Sequence, residues 1–181
     1  MKAIQLILIL AIFTGCEFST KTTVTEKPEA SQTSESIEES RKNIDEVMES
    51  WHKAAAEAQY EPYFNLMSSD GIFIGTDATE NWQNKEFRDF AKPYFDKGKA
   101  WSFSTLERNI YIASDHQTAW FDELLNTQMG ICRGSGVLAF EDGTWKIKHY
   151  VLSIAIPNEN VTEIVEIKKE FDSTFIAGMD Q

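Results

Sequence analysis

Cysteine and basic residues are both scarce in this chain. Cys16 and Cys132 are the only cysteines among 181 residues. Two thiols cannot supply a disulfide framework, and a zinc site with four cysteine ligands is excluded. The chain carries 17 lysines and arginines against 29 aspartates and glutamates, for a net charge of -12. Such a surface repels phosphate backbones and anionic head groups, which argues against binding to nucleic acid or to acidic lipid.

Histidines are few as well. His52, His116 and His149 are scattered along the chain at spacings that match no metal-binding motif, and the sequence predicts neither a metal nor another cofactor. Apolar residues are plentiful at 42%, and aromatic residues make up 12% of the chain, with five tryptophans and twelve phenylalanines. The chain therefore has enough apolar surface to bury a core, and wholesale disorder is excluded.

The N-terminus has the pattern of a secretory signal. Lys2 precedes an apolar run over residues 3–13, and small residues lead up to Cys16. The run is shorter than the roughly 20 residues that span a bilayer. Residues 1–15 are predicted to be a signal peptide, and Gly15-Cys16 resembles the lipobox of bacterial lipoproteins. The resemblance implies that Cys16 is lipidated and anchors the protein in the bacterial cell envelope. An ordinary signal peptide with an incidental cysteine is the alternative.

Residues 16–40 have the composition of a tether. Ten of the 24 residues from Glu17 to Ser40 are serine or threonine, six are acidic, and Pro28 interrupts the segment. This composition lacks the apolar surface that would offset the entropy of ordering. We therefore expect a disordered tether that spaces a folded domain from the membrane.

A periodic pattern begins at Arg41 and indicates one domain over residues 41–175, followed by a tail at 176–181. Three helices are predicted, from 41, 61 and 84 onward, and Pro93 is expected to kink or end the third before Gly98 closes it. Strands are predicted at 72–75, 101–112, 118–129, 131–140 and 145–156. A last helix is predicted from residue 161 onward.

Helices that precede long strands predict an α+β fold with a mostly antiparallel sheet. Such a sheet, when curved around helices on one face, leaves a cavity between them. Gly134 and Gly136 lie two residues apart within one predicted strand and would permit the necessary bend or bulge.

Several segments resemble a known family. They are Trp51–Ala56, Phe73–Trp82, Ala119–Glu123, Arg133–Leu138 and Trp145–Pro157. In this order they resemble the SnoaL-like branch of the nuclear transport factor 2-like superfamily. The resemblance implies a cone-shaped roll, with three N-terminal helices wrapped in a strongly curved sheet, and a homodimer formed through that sheet. The superfamily includes polyketide cyclases, ketosteroid isomerase, scytalone dehydratase, kinase association domains and binding proteins without catalysis, so the fold alone assigns no activity.

Asp122 and Glu123 are the first candidates for acid–base chemistry. Alternation along a strand sends one of them to the pocket and the other outward. A carboxylate among aromatic rings can have a raised pKa and move protons, as in enzymes of this superfamily. The alternative is a structural ion pair with Arg108 or Arg133. The sequence does not decide which carboxylate faces inward.

His149 is the third candidate catalytic residue, because it is in phase with Trp145 and Ile147 on the last predicted strand. A hydrogen-bonded core histidine is the alternative. His52 lies off the apolar stripe of the first helix and is expected to pair locally, and His116 is expected to face solvent in a turn.

Aromatic residues on every element predict a ligand pocket with a small, partly apolar occupant. Asp77, in the polar segment 76–80, would either bond a ligand or close an Asx turn. Arg133 would either hold a ligand carboxylate or neutralise a neighbouring acid. The candidate ligand-binding residues are Trp51, Phe73, Asp77, Trp82, Tyr94, Trp101, Trp120, Arg133 and Ser135.

These patterns lead to three hypotheses. The first is a lipid-anchored domain that binds a small ligand in its cone. The second is an enzyme that cyclises, dehydrates or isomerises a small organic substrate, although the base, tyrosine and protonated aspartate of ketosteroid isomerase are not recognisable here. The third is a protein-interaction module that uses the sheet as its dimer surface.

Overall fold

The structure, a computed structural model, describes residues 29–179. Its elements follow in chain order. They are α1 (Glu29–Ala56), α2 (Tyr60–Asn65), β1 (Met67–Ile74), β2 (Asn81–Gln83), α3 (Asn84–Asp96), β3 (Phe103–Ile112), β4 (Thr118–Thr127), β5 (Gly130–Glu141), β6 (Thr144–Ile154), a 3-10 turn (Asn158–Asn160) and α4 (Val161–Met179). The predicted signal peptide and Cys16 lie outside the described residues.

The six strands form one curved, open sheet in the order β2-β1-β6-β5-β4-β3. All neighbours are antiparallel except β1 and β6, which are parallel. Helix α1 packs on β3 and β6, and α3 packs on β1. The α+β cone expected from the sequence is confirmed, with its core between α1–α3 and the inner face of the sheet. The largest fully buried side chains there include Trp51, Tyr63, Phe64, Phe87 and Tyr150.

A bulge in β6 changes which of its residues face the core. Ile147 pairs with Leu138, but His149 pairs with Val137, so Lys148 is an extra residue on β6. The alternation shifts by one at a bulge. Tyr150 therefore takes the inner face and is fully buried. The expectation that His149 continues the phase of Ile147 is wrong, and His149 lies on the outer face.

Helix α1 begins earlier than the sequence indicates. It starts at Glu29, within the segment predicted to be a tether. Among the helix residues from Ser36 onward, whose burial the structure describes, Ile44 is the first buried one. Once the packed turns from Ile44 onward have formed, each further residue adds a helical hydrogen bond at little cost. An ion pair between Arg41 and Glu38, one turn apart, supports this exposed extension.

Two other helix ends also differ from expectation. Pro93 does not end α3, which continues to Asp96, and Gly98 then closes the segment with a positive φ of 69°. Helix α4 starts at Val161 as predicted but extends to Met179, so the first part of the expected tail is helical. Within residues 29–179, no helix is both long and apolar enough to cross a bilayer.

Candidate functional site

The first candidate site is a buried charged cluster of Glu123, His52, Arg108 and Tyr150. Glu123 lies on the inner face of β4 and has no exposed surface. Its Oε1 accepts hydrogen bonds from the Tyr150 hydroxyl at 2.9 Å and from His52 Nε2 at 3.0 Å. Its Oε2 accepts a hydrogen bond from Arg108 Nε at 2.9 Å and forms an ion pair with Arg108 Nη2 at 2.8 Å. A carboxylate can only accept hydrogen bonds, so the Nε2 of His52 carries a hydrogen in this arrangement.

The three residues that contact this carboxylate determine its charge. Burial acts to raise the pKa of Glu123, but the hydrogen bond and charge of His52 and the guanidinium of Arg108 outweigh it and hold the pKa below its usual value. Burial, followed by the charge of Glu123, raises the pKa of Tyr150 well above its usual value. Glu123 is therefore ionised and Tyr150 neutral across the physiological range.

Arg108 extends the cluster to the first helix. Its Nη1 lies 2.6 Å from Asp45 Oδ1 and 3.1 Å from Glu49 Oε1. Its Nη2 donates to Thr105 Oγ1 at 2.9 Å. Only 3% of the Arg108 side chain is exposed. The cluster thus joins α1 to β3, β4 and β6 through charged hydrogen bonds.

Gly134 makes room for this cluster. It faces Glu123 across the β4–β5 pair, and a Cβ at this position would clash with the Tyr150 hydroxyl and lie 2.8 Å from Glu123 Oε1. Gly136 is equally restricted, because its Cβ would clash with the carbonyl oxygen of His149. These two glycines permit close approach of the strand to the cluster and to the bulge.

The geometry gives Glu123 a structural role. Both of its oxygens are already bonded to donors, its pKa is lowered and it has no route to solvent. A general base needs a free lone pair within reach of its substrate. The sequence left a structural pairing of Glu123 with Arg108 open as the alternative to catalysis, and this is the arrangement observed.

Sequence reasoning missed His52 and Tyr150 as members of the cluster. His52 is only 4% exposed, although it was expected to pair locally on the surface of α1. Its position four residues after Met48 places it on the same buried face, and this spacing was a usable signal. Tyr150 had no such signal, since the bulge at Lys148 that turns it inward leaves no mark in the hydrophobic pattern.

The second candidate site is an aromatic cleft of about 130 Å³. It lies between α3, the starts of β2 and β3, and the turn between β4 and β5. Its polar lining residues are Thr76, Glu80 and Gln128, of which only Glu80 is ionisable. The remaining lining residues are Phe73, Gly75, Trp82, Phe87, Phe90, Trp101, Phe103, Met129 and Leu152.

One layer of side chains separates the cleft from the charged cluster. The ring of Phe103 lies 5.7 Å from the ring of His52, centroid to centroid. The ring of Phe73 lies 5.5 Å from that of Tyr150. Both phenylalanines line the cleft. The cleft thus ends on an apolar floor, and the carboxylate of Glu123 lies behind it.

The structure brings three of the nine predicted ligand-binding residues together in the cleft, namely Phe73, Trp82 and Trp101. Trp51 is buried in the core and does not line it. Asp77 closes an Asx turn beside the cleft, with its Oδ1 accepting from Thr79 N at 2.9 Å. The hydrogen bond that the Thr79 hydroxyl donates to the same oxygen at 2.6 Å, together with this backbone bond, lowers the pKa of Asp77.

Tyr94 is 46% exposed on α3 and lies outside the cleft, against Phe90 at 5.5 Å between ring centroids. It is the one candidate on this helix, and the structure does not bring it to the cleft lining.

The other candidates lie on the outer face of the sheet. Asp122 pairs with Ser135, Trp120 pairs with Val137, and Val137 pairs with His149. Arg133 is exposed on the same face, opposite Leu124. Alternation places all of these side chains opposite to Glu123. The structure therefore does not bring His149, Trp120, Arg133 and Ser135 to the aromatic cleft, and Asp122 takes the outward position of the two that alternation left open.

Metal binding finds no support in the part of the chain that the structure describes. Between residues 29 and 179, no group of three or more histidine, cysteine, aspartate or glutamate side chains is arranged to hold an ion. Cys132 is a free thiol and is fully buried.

Comparison with known proteins decides the family. The family model of the SnoaL-like domain matches residues 44–157, which is most of the folded part of the chain. The chain belongs to the SnoaL-like family. The match includes both the charged cluster and the aromatic cleft. No curated protein matches the sequence.

Solved structures show the same fold at low identity. A scytalone dehydratase-like protein of Novosphingobium aromaticivorans superposes with a TM-score of 0.59 and 11% identity, covering 68% of this chain and 89% of that one. An NTF2-like protein of unknown function from Pseudomonas putida superposes with a TM-score of 0.56 and 12% identity, and the match covers 71% of this chain and 92% of that one. The association domain of C. elegans CaMKII superposes with a TM-score of 0.54 and 19% identity, and the match covers 65% of this chain and 97% of that one. At these identities the likeness establishes the fold of this SnoaL-like domain and leaves its activity open.

Proposed function

We propose that this SnoaL-like domain binds a small, flat and largely apolar ligand in its aromatic cleft. The observation that carries the proposal is the lining itself, in which six aromatic side chains and Met129 surround an open space. Binding sites for small molecules are concave and mostly apolar, with a few polar groups that orient the ligand. Thr76, Glu80 and Gln128 provide those groups at one side.

The dimensions and charge of the cleft define the ligand further. An apolar cavity of about 150 Å³ holds a benzene molecule. The cleft, at about 130 Å³, therefore has room for a single aromatic ring of a ligand. Glu80 is the only ionisable side chain in the lining, so an anionic ligand is repelled and a hydrogen-bond donor is favoured.

Ligand-observed NMR with two probes of equal size tests this proposal. We expect phenol to bind and benzoate to bind at least about tenfold more weakly, since a tenfold ratio needs only about 1.4 kcal/mol of repulsion. Met129→Trp, which fills the cleft, should abolish binding of phenol. Trp120→Ala, on the outer face, is the matched control and should retain it. Equal binding of phenol by both variants would contradict the proposal.

The same proposal places the domain in the bacterial cell envelope, anchored through lipidated Cys16. Its support is the signal-like run over residues 3–13 followed by Gly15-Cys16. Labelling of a bacterial expression host with an alkynyl fatty acid tests the anchor. We expect label on the wild type and on Cys132→Ser, and none on Cys16→Ser. Label that persists on Cys16→Ser would exclude this anchor.

The acid–base enzyme is the less well supported hypothesis. Its three candidate residues do not meet in the cleft, because Glu123 lies behind the phenylalanine floor and Asp122 and His149 lie on the outer face. No observation on these residues favours catalysis.

A protein-interaction role has a specific observation in its favour. Tyr111 and Trp120 stack on the outer face with ring centroids 5.8 Å apart, and both are more than 40% exposed. Exposed aromatic pairs are common anchors of interfaces. A homodimer through this face is therefore the second candidate function. Sedimentation velocity of Trp120→Asp beside the wild type tests it, and an unchanged molecular mass would argue against it.

A further inference from the structure

Helix α4 carries an apolar face that the described part of the chain leaves uncovered. None of its residues is buried, and its main contacts are with the 3-10 turn that precedes it. Ile167 is 71% exposed and Met179 is 70% exposed. At about 100° per residue, the apolar side chains occupy one half of the helix surface. They are Val161, Ile164, Val165, Ile167, Phe171, Phe175, Ile176 and Met179.

One pair of charges lies in the middle of this apolar face. Lys168 and Asp172 lie within about 20° of the line from Val161 to Met179. They form an ion pair with Lys168 Nζ 3.4 Å from Asp172 Oδ2. The two side chains are 53% and 40% exposed, so both charges are accessible to a partner.

Both charges and six of the eight apolar residues have counterparts at equal distances from the middle of the helix, whereas Ile167 corresponds to Ser173 and Phe171 to Lys169. Lys168 and Asp172 are each two residues from Glu170, and Val161 and Met179 are each nine residues from it. The same symmetry relates Val165 to Phe175 and Ile164 to Ile176. A two-fold axis through this point would place every residue opposite its counterpart on an antiparallel copy.

We propose that α4 pairs antiparallel with α4 of a second copy of this chain. In that pair, Lys168 of each copy lies opposite Asp172 of the other, and apolar residues meet on both sides. The contact is self-complementary, as a two-fold interface requires. The pairing is independent of the cleft and leaves the outer face of the sheet open.

A membrane surface fits this face less well than a second copy. Helix α4 carries four acidic and two basic residues. Amphipathic helices that lie on membranes are rich in lysine and arginine on their polar face, because lipid surfaces are commonly anionic. A lipid surface also offers no counterpart to a lysine and an aspartate one turn apart.

Charge exchange between two copies tests the pairing. Two differently tagged copies of the full chain are co-expressed and solubilised in excess detergent, and the co-purified fraction is measured. With Lys168→Asp in both copies, an aspartate at position 168 of each copy faces Asp172 of the other. With Asp172→Lys in both copies, a lysine at position 172 of each copy faces Lys168 of the other. We expect each to reduce the co-purified fraction about tenfold, as two like-charge contacts per dimer require.

The mixed pair is decisive. When one copy carries Lys168→Asp and the other Asp172→Lys, opposite charges again face each other, and co-purification should return to within about twofold of the wild type. The ion pair within each helix stays broken in this mixture, so a merely local role of the pair predicts no recovery. Glu170→Lys, on the opposite side of α4, is the control and should change nothing.

Three results would overturn the inference. The first is a reduced co-purified fraction in the single variants that does not recover in the mixed pair. The second is an equal reduction in Glu170→Lys. The third is co-purification that is unchanged in all variants, or absent in all of them. Undisturbed association would assign the dimer to another surface, such as the outer face of the sheet.

Discussion

The charged cluster and the aromatic cleft lie on the same side of the sheet, one layer of side chains apart. They differ in whether their contacts are complete within this chain. Every carboxylate oxygen of Glu123 is bonded to donors from this chain. The cleft has rings on its walls and an open volume of about 130 Å³ between them. Sequence reasoning assigned acid–base chemistry to the charged residues and ligand binding to the aromatic ones, and the geometry leaves open space only beside the aromatic residues.

This contrast teaches that a buried carboxylate is not by itself a catalytic group. Glu123 has the burial that raises a carboxyl pKa, yet its partners reverse the direction of the shift. A fully satisfied ionic cluster specifies how α1 docks on the sheet. An unfilled apolar cleft is free to accept a molecule from outside.

The largest expected effect follows from removal of Glu123. Glu123→Ala leaves Arg108 buried without its main counter-charge, and breaking a buried pair in this way costs about 3–5 kcal/mol. Urea unfolding followed by circular dichroism measures the loss. The control is Asp122→Ala, one residue away on the outer face, which should cost less than about 1 kcal/mol. Equal losses in the two variants would remove the distinction between cluster and surface.

A second prediction concerns the space that Gly134 leaves for the cluster. In Gly134→Ala the new Cβ meets the Tyr150 hydroxyl and Glu123 Oε1, which must shift, and such overpacking costs about 1–3 kcal/mol. Gly178→Ala is the matched control, since a Cβ at that position would have no neighbour within 4 Å. Thermal unfolding of both variants compares them, and a Gly134→Ala protein as stable as the control would contradict the close approach.

A third prediction is a pH dependence of stability with a definite sign. The folded pKa of Glu123 is lowered, so its contribution is fully present above the unfolded value of about 4.3 and is lost as pH falls through the folded pKa. The difference in unfolding free energy between the wild type and Glu123→Gln should therefore shrink as the pH is lowered below about 4.3. A difference that grows on acidification would contradict the lowered pKa.

The smallest effects are expected where sequence and structure disagree about ligand contact. Tyr94→Ala and Arg133→Ala change exposed side chains outside the cleft lining, so binding of phenol should stay within about twofold of the wild type. Ligand-observed NMR measures the affinities. A loss above about tenfold in either variant would extend the binding site beyond the cleft.

The fold could be predicted from the sequence because its signals are local and repeated. The apolar stripe from Ile44 to Ala55 and the aromatic strands around Trp120 and Trp145 have the spacing that helices and strands require. The order of these elements, with the resemblance to the family, was sufficient to predict the cone.

The site could be predicted only in part, because it depends on register. Phe73, Trp82 and Trp101 were identified as aromatic residues that could line a pocket. The bulge at Lys148, which brings Tyr150 inward and leaves His149 outside, arises from how β6 pairs with β5. The choice between Asp122 and Glu123 likewise depended on which face of β4 meets α1.

Native mass spectrometry tests the central claim most directly. The wild type, Met129→Trp and Trp120→Ala are purified identically from the same host and sprayed under non-denaturing conditions. We predict an additional small-molecule mass on the wild type and on Trp120→Ala, released by denaturation, and no such mass on Met129→Trp. Binding in the aromatic cleft would be contradicted by the same added mass on Met129→Trp. It would also be contradicted if the wild type bound no phenol when phenol is added in large excess.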